Sequence, residues 1–227
     1  MEKSLPVQIG QMNKTLERRI YLTLKRALDL AIALAAVLVL GPMMAIIGLL
    51  IRLDSPGPAL FIQTRIGQGG RPFRVFKFRT MKHKADDSSH KAFMQAFVKG
   101  DIRRDPTGRV IFKPIHKSQV TRVGRFLRQT SLDELPQLLN VLKGEMSLVG
   151  PRPNVPWEVE AYEDWHMERL AVQPGMTGLA QVNGRSGLDF DTIVKYDIEY
   201  VRKQSLKLDL QILWNTFLPV LNGRGAH

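Results

Sequence analysis

The chain has 227 residues, enough for one domain with a substantial hydrophobic core, and it shows no internal repeat. Its 33 Lys and Arg against 21 Asp and Glu give a formal charge of +12, so we expect anionic partners: nucleic acid, a phospholipid surface or phosphorylated small molecules. The absence of cysteine excludes disulfides, thiolate zinc sites and cysteine nucleophiles.

Residues 1–27 form a polar, basic segment that does not resemble a cleavable signal sequence. From Leu30 to Ile51 no residue is charged, and roughly 20 apolar residues suffice for a helix to cross a bilayer core. Gly41-Pro42 predicts a sharp bend near the middle, because proline lacks a backbone donor. Basic residues on both flanks favour two cytoplasmic ends. Residues 28–53 are therefore either a kinked transmembrane span or a re-entrant pair of half-helices.

Residues 54–204 are predicted to form a small α+β domain, rich in helix, with one short hairpin. The hairpin is the stretch ALFIQTRIGQGGRPFRVFKFRTM, in which apolar and aromatic residues flank a turn at Gly67–Gly70. Residues 82–120 are polar and charge-mixed, and we interpret them as a long excursion with some helix at 93–98. Leucines at helical spacing predict an amphipathic helix over 205–227, which could pack on the core or lie in a membrane interface.

Three further patterns lie between residues 122 and 185. Arg122, Arg125 and Arg128 are three apart and share one side of a helix or turn, which is also the pattern of a solvated or headgroup-facing surface. The Pro-Gly pair of QPGMTG predicts a type II turn. Asn183-Gly184 in QVNGRS predicts a two-residue hairpin turn that holds Arg185 at a corner.

The segment SLDELPQLLNVLKGEMSLVGPRP carries two adjacent acids, Asp133 and Glu134. Ser131 and Glu134 fit a capping box, and the leucines that follow predict a helix over 132–143. Acids in a first helical turn have an ordinary structural explanation, because they stabilise the helix dipole by about 0.3–1 kcal/mol.

Geometry favours a second explanation for these acids. The predicted helix is about 18 Å long, and the eight residue steps from Gly144 to Arg152 can stretch roughly 26 Å. Arg152 can therefore return to the acids, and its two flanking prolines restrict its backbone. With Arg128 it would form an anion site that contains two carboxylates. Such carboxylates would bind a divalent cation or attack phosphorus directly.

Taken in order, these motifs resemble those of the bacterial sugar transferases, that is, the monotopic phosphoglycosyl transferases or polyprenyl-phosphate hexose-1-phosphate transferases. The resemblance covers residue 25 to the C-terminus, and the chain is similar to the minimal type that lacks extra N-terminal membrane spans. It rests on these stretches: KRALDL, the proline-broken apolar run, SPGPALFIQTRIG, FKFRTM, TRVGRFLRQTSLDELPQLLNVLKGEMSLVGPRP, PGMTGLAQVNGR and DIEYV.

The resemblance implies a monotopic enzyme whose re-entrant helix, broken at Gly41 and Pro42, anchors it to the cytoplasmic leaflet of the bacterial inner membrane. It implies transfer of a sugar 1-phosphate from a UDP-sugar to undecaprenyl phosphate with release of UMP, the first membrane step of exopolysaccharide, capsule or O-antigen synthesis. Asp133 would be the nucleophile and would form an aspartyl phosphosugar, Glu134 would be its neighbour, and both would bind Mg²⁺. We expect no nucleic-acid partner and allow a homodimer. The candidate substrate-binding residues are Lys77, Arg79, Thr80, Arg128, Arg152, Gln181, Asn183 and Arg185.

The chain departs from the family pattern in three places. Gly41 stands where some members have serine, Leu179 stands where tryptophan is common, and KSQVTRVG lacks an Asp-Pro-Arg that often precedes the threonine. These departures affect sugar recognition and local packing rather than the reaction class. Two other functions compete: a membrane-tethered module that binds anionic lipid or polysaccharide without catalysis, and a metal-dependent phosphatase that uses an aspartyl phosphate.

Overall fold

The computed structural model describes residues 5–82, 88–101, 119–184 and 188–221, with backbone alone at 5–15, 88–90 and 217–221. Arg185 and most of the excursion at 82–120 lie outside the described residues. In chain order the elements are α1 (Leu5–Asp54), β1 (Leu60–Ile66), β2 (Pro72–Phe78), α2 (Ser88–Val98), α3 (Arg122–Thr130), a 3₁₀ helix (Leu132–Gln137), α4 (Leu138–Lys143), β3 (Ser147–Val149), α5 (Pro156–Val159), a 3₁₀ helix (Asp164–Ala171), β4 (Gly175–Thr177), α6 (Leu179–Asn183), α7 (Phe190–Lys203) and α8 (Leu206–Leu221). The mixture of helix and short β pairs confirms the predicted α+β class.

Helix α1 is the one helix among the described residues that is long and apolar enough to cross a membrane. It packs against the rest of the chain along one side, and its buried residues are four positions apart both before and after Gly41-Pro42, as helical geometry requires. The remaining circumference is apolar and exposed. The buried positions are Lys25, Asp29, Ala33, Ile47 and Ile51. From residue 28 onward the exposed large apolar residues are Leu28, Leu30, Ile32, Leu34, Leu38, Val39, Ile46, Leu49, Leu50 and Leu53.

Helix α1 continues through Pro42 as one 50-residue helix, so no interruption separates two half-helices, and a bend at Gly41-Pro42 stays a prediction. A proline inside a helix removes one backbone hydrogen bond and crowds the preceding turn. The turn that follows is held by packing, since Met43, Met44 and Ile47 lie in one apolar cluster with Phe78 and Leu127. The structure therefore does not confirm two separate half-helices over 28–53.

Polar contacts from α1 are directed into the interior of the domain. The Asp29 carboxylate accepts hydrogen bonds from Ser147 Oγ at 2.7 Å and from the Leu148 N–H at 3.2 Å. Lys25 Nζ donates to Asp209 Oδ2 at 3.1 Å on α8, and Tyr200 OH donates to Asp209 Oδ1 at 2.7 Å. A buried charge is tolerated when it is paired and hydrogen-bonded in this way. The part of α1 just before the apolar run is thus fixed to β3 and α8.

The predicted hairpin is confirmed: β1 and β2 pair antiparallel from Leu60 opposite Phe78 to Ile66 opposite Pro72. The short 3₁₀ turn Gln68–Gly70 joins the two strands, and Gly69 and Gly70 have positive φ angles, which glycine adopts without strain. One face of β2 turns inward, so that Val75 joins the main core cluster with Leu138 and Val141 of α4.

A second, parallel pair joins β3 to β4, with Ser147 opposite Gly175 and Val149 opposite Thr177. The Pro174-Gly175 pair therefore begins a strand, and the predicted type II turn is wrong, since φ of Gly175 is not positive. Gly175 is needed for close approach instead: a Cβ there would lie 2.1 Å from the Gly150 nitrogen.

The predicted hairpin turn at Asn183-Gly184 is also wrong. Asn183 ends α6, and its side-chain Nδ2 donates to the Leu179 carbonyl one turn earlier at 2.9 Å. No strand flanks these residues in the described part of the chain. The C-terminal helix is confirmed as α8, and it buries Asp209 and Ile212 while it exposes Leu210 and Trp214.

We predict that Gly175→Ala destabilises the fold by about 1–3 kcal/mol, because the added methyl group must displace backbone atoms. Gly41→Ala is the control: a Cβ there meets nothing within 4 Å, and alanine favours a helix. Thermal unfolding in detergent measures both. An unchanged melting temperature for Gly175→Ala would contradict the β3–β4 packing.

Candidate active site

Asp133 and Glu134 lie in the 3₁₀ helix Leu132–Gln137, which we call the dyad helix. Helix α3 ends at Thr130, and Ser131 then adopts a left-handed conformation with φ of 57°, the only positive φ of a non-glycine residue in the described chain. This conformation is uncommon for a residue with a Cβ atom. It turns the chain so that the two acids face the end of β2 rather than continue along α3.

The predicted capping box at Ser131 and Glu134 is wrong. The Ser131 side chain makes no capping hydrogen bond, and the Glu134 carboxylate is directed elsewhere. Glu134 Oε1 accepts from Lys77 Nζ at 2.9 Å and from Arg152 Nη2 at 2.7 Å, while Oε2 has a longer contact of 3.4 Å with Arg152 Nη1. The predicted return of Arg152 to the acids is thus observed.

Glu134 is held in its ionised form. Burial alone would raise the pKa of this carboxyl group, but Arg152 and Lys77 outweigh burial and keep the pKa far below its usual range. Charge-assisted hydrogen bonds of this kind are short and about twice as strong as neutral ones. Glu134 therefore joins β2, the dyad helix and the loop after β3 at one point.

Asp133 has the opposite environment, although it is the adjacent residue. Its carboxylate has no hydrogen-bond donor among the described residues. Burial raises its pKa above the ordinary value, and the negative charge of Glu134 raises it further, while Lys77, Arg128 and Arg152 lower it in part. A half-buried carboxylate that lies near three cations without a hydrogen bond to any of them has its oxygens available for chemistry.

Arg128 reaches the site from α3. Its Nε donates to Thr80 Oγ1 at 2.9 Å, burial lowers its pKa, and the charge of Asp133 raises it in part. Thr80 also fixes α3 through its backbone: the Thr121 N–H donates to the Thr80 carbonyl at 3.1 Å, and a Cβ on Gly124 would lie 2.1 Å from that oxygen. Of the predicted substrate-binding residues, Lys77, Thr80, Arg128 and Arg152 are thus brought around the acids.

Other predicted residues lie elsewhere. The Arg79 guanidinium points to the end of α1, where it donates to the carbonyls of Pro56 and Ser55, each at 2.7 Å. Alternation along a strand would put Arg79 on the same face as Lys77, but β2 ends at Phe78 and Arg79 lies beyond it. Gln181 and Asn183 lie on α6 and make no hydrogen bond to Asp133 or Glu134 in the described structure. Both polar side-chain atoms of Gln181 are buried without a partner there, and a role of Gln181 in binding substrate stays a prediction.

Sequence reasoning missed several charged residues behind the site. Arg65 on β1 donates to the Pro153 carbonyl at 3.1 Å, and burial, followed by repulsion from Arg152, lowers its pKa to about 10. Arg169 and Asp197 form a buried ion pair beside the same loop. A signal for Asp197 was present in the sequence, because it lies in the apolar stripe of α7 between Val194 and Ile198.

The donor set permits a shared magnesium ion rather than a complete protein site. Among the described residues no group of three or more His, Cys, Asp or Glu side chains could hold a metal ion. Mg²⁺ is usually bound by one or two carboxylates together with substrate phosphates and water. Asp133, without a hydrogen-bond donor, and Glu134 Oε2, with only a 3.4 Å contact, fit that pattern.

Comparison with known proteins identifies the family. The model of the family described as Bacterial sugar transferase matches residues 20–223, which is most of the chain and includes every residue of the site. The chain belongs to this family.

Three relatives illustrate the similarity. The chain is 42% identical over 209 residues to the UDP-glucose:undecaprenyl-phosphate glucose-1-phosphate transferase of Escherichia coli, covering 88% of this chain and 40% of that protein. It is 41% identical over 209 residues to the galactosyl transferase CpsE of Streptococcus agalactiae, covering 91% and 44%. It is 38% identical over 203 residues to the exopolysaccharide production protein ExoY of Sinorhizobium fredii, covering 89% and 88%. The chain thus spans less than half the length of the first two and most of the third.

We predict opposite effects on stability for two isosteric substitutions. Glu134→Gln should lower the free energy of unfolding at neutral pH by about 1–2 kcal/mol, because it removes two charge-assisted hydrogen bonds. Asp133→Asn should leave it unchanged or raise it: a carboxyl group whose pKa is higher in the folded state destabilises the fold at every pH above its unfolded pKa. Denaturant titration at pH 7 measures both, and equal losses for the two variants would contradict the assigned environments.

Proposed function

We propose that the protein transfers a sugar 1-phosphate from a UDP-sugar to undecaprenyl phosphate and releases UMP. The observation that carries this proposal is the contrast between the two acids: Glu134 is neutralised by Lys77 and Arg152, whereas Asp133 beside it accepts no hydrogen bond in the described structure. Similarity to relatives named for undecaprenyl-phosphate sugar transfer supports it. On this proposal the reaction begins the synthesis of an exopolysaccharide or capsule type of glycan.

The chemistry is a double displacement at phosphorus. An Asp133 oxygen forms a bond to the phosphorus that carries the sugar, and the bond from that phosphorus to the bridging oxygen breaks, so that UMP leaves with the bond electrons. An oxygen of the lipid phosphate then attacks the same phosphorus, and the bond between the Asp133 oxygen and phosphorus breaks to restore the carboxylate. Lys77, Arg128 and Arg152 neutralise the negative charge of the phosphate oxygens in both steps.

The two acids would hold a Mg²⁺ ion together with oxygens of the donor diphosphate. When bound, such an ion supplies Lewis-acid stabilisation of phosphate charge. Asp133 must be ionised to attack phosphorus, and its pKa is raised above the ordinary aspartate value. Activity should therefore decline with falling pH at values above the ordinary aspartate pKa.

We further propose that α1 bends at Pro42 within the inner leaflet of the bacterial inner membrane, so that both ends of its apolar run return to the cytoplasmic face. Asp29 near the start of the apolar run and Ile51 at its end are both buried against the same domain, with exposed fractions of 4% and 1%. A helix that spans the bilayer would place these two positions on opposite sides of the membrane, because 22 residues rise about 33 Å. A homodimer stays a prediction.

Two rival functions make different products. A phosphatase that uses an aspartyl phosphate would release inorganic phosphate or sugar phosphate without lipid, and a binding module would release nothing. Detergent-solubilised protein supplied with UDP-sugars and Mg²⁺ should release at most one UMP per enzyme, and repeated turnover should require undecaprenyl phosphate. Lipid-independent turnover would support hydrolysis instead.

We predict that donor alone, labelled in the sugar, leaves one covalent adduct on Asp133, detected by intact mass and by peptide mapping. Asp133→Asn should form no adduct and lose turnover at least about 1,000-fold, since it lacks the nucleophile. Glu199→Gln, on the exposed surface of α7, is the matched control and should behave as wild type. Product formation by Asp133→Asn at the wild-type rate would contradict the mechanism.

We predict that both flanks of α1 are cytoplasmic. The chain contains no cysteine, so Glu17→Cys before the apolar run and Lys99→Cys after it provide single labelling sites at exposed positions. A membrane-impermeant maleimide applied to spheroplasts should label neither site until the cells are permeabilised. Labelling of Glu17→Cys alone in intact spheroplasts would instead demonstrate a spanning helix.

A further inference from the structure

The loop that presents Arg152 is bound through four consecutive backbone carbonyls. The Pro151 carbonyl accepts from the Gly175 N–H at 2.9 Å, and the Asn154 carbonyl accepts from the Ile66 N–H at 2.8 Å. Between them, Arg65 donates to the Pro153 carbonyl at 3.1 Å and Arg169 to the Arg152 carbonyl at 3.0 Å. The loop has no regular secondary structure, so side chains rather than a strand partner fix its two central carbonyls.

All three guanidinium nitrogens of Arg169 donate hydrogen bonds in this arrangement. Its Nε and Nη2 donate to Asp197 Oδ2, its Nη1 donates to Tyr162 OH, and its Nη2 also reaches the Arg152 carbonyl. The side chains of Arg169 and Asp197 are only 2% and 1% exposed. A planar guanidinium with donors in a fixed fork can bind a carboxylate and a carbonyl at the same time, which an ammonium group cannot do with the same geometry.

Stability alone does not explain a buried ion pair at this position. Removing two charges from water costs several kcal/mol per ion, and well-packed apolar pairs of similar volume are often as stable or more stable. The additional contact here is the one to Arg152, whose guanidinium holds Glu134 at 2.7 Å. The contacts therefore run from Asp197 to Arg169, from Arg169 to the backbone of Arg152, and from the side chain of Arg152 to the dyad helix.

We propose that Arg169, oriented by Asp197, is a positioning residue for Arg152 and so sets the geometry of Glu134 and Asp133. It touches neither acid and acts only through Arg152. The inference deepens the proposed phosphoryl transfer and rests on it for its effect on turnover, whereas its effect on the Arg152–Glu134 contact is independent of any reaction.

The same two elements provide a matched control pair. Arg202 on α7 donates to both oxygens of Glu168 on the 3₁₀ helix Asp164–Ala171, at 2.8 Å and 2.7 Å, and thus joins the elements that Arg169 and Asp197 join. This pair is exposed, with 67% of the Arg202 side chain accessible, and it does not contact the loop of Arg152.

The test is a thermodynamic cycle that needs no substrate. The double variant Arg169→Met/Asp197→Leu replaces the buried pair by apolar residues, and Glu168→Gln/Arg202→Gln removes the exposed control pair. Glu134→Gln is then introduced into each of these two variants and into wild type. We expect the loss of melting temperature caused by Glu134→Gln to fall to about half or less in the apolar-pair variant, because Arg152 no longer holds Glu134. In the control it should equal the wild-type loss. An equal loss in all three backgrounds would overturn the proposal.

Turnover gives a second readout. The apolar-pair variant should lose about 10–100-fold in kcat with a smaller change in the donor KM, as expected when a catalytic geometry is loosened, and the control should stay within about twofold. If the apolar-pair variant does not fold, Arg169→Lys replaces it: it keeps the charge opposite Asp197 but lacks the fork, so both effects should remain at reduced size. Wild-type behaviour of Arg169→Lys in both measurements would also overturn the proposal. If the wild type transfers no sugar phosphate, the proposed function is wrong, but the melting temperatures still test whether Arg169 positions Arg152.

Discussion

The ion pair between Glu134 and Arg152, completed by Lys77, is the contact on which the geometry of the site depends. It joins three parts of the chain at one point: the end of the hairpin, the dyad helix and the loop after β3. Lys77 and Arg152 both donate hydrogen bonds to Glu134 and balance its charge. The carboxylate of Asp133 therefore lies near these cations without a hydrogen bond to either. Two adjacent acids therefore acquire opposite pKa shifts, one far below and one above the ordinary range. Environment, rather than residue type, distinguishes the candidate nucleophile from its neighbour.

Helix α1 is part of the folded domain as well as its apolar extension. Its charged residues Lys25 and Asp29 are buried against α8 and β3, and its last turns pack on the dyad helix through Leu132 and Leu135. The C-terminal end is bound on both sides, since Asp54 accepts a hydrogen bond from the Val123 N–H of α3 and Arg79 donates to the carbonyls of Ser55 and Pro56. Arg79 is thus better explained as a cap for the end of α1 than as a group facing the acids.

The sequence predicted features that depend on local pattern or on chain length. The hairpin followed from alternation around a glycine-rich turn, and the return of Arg152 followed from the reach of eight residues after the helix. It did not predict the capping box correctly, because Lys77 and Arg152, distant in sequence, compete successfully for the Glu134 carboxylate. The turn prediction at Gly175 is wrong because this glycine lets two strands approach closely, which again depends on residues distant in sequence. Asp197 could have been noticed as a charge in an apolar stripe, but its partner Arg169 could not, since only the tertiary fold brings α7 to the 3₁₀ helix before β4.

The position of Asp133 beside α1 also fits a reaction between a water-soluble donor and a lipid acceptor. Leu132, the residue before it, packs in the cluster that contains Ile47 and Ile51, the last buried residues of the apolar helix. On the other side, Lys77 and Arg152 bring cations to the acid pair. On the proposed function, the acid pair thus lies between the apolar helix and the cations that would bind phosphate. Since the same short helix contacts both α1 and the cations, its 3₁₀ geometry and the left-handed Ser131 that starts it are constraints of the site as well as of the fold.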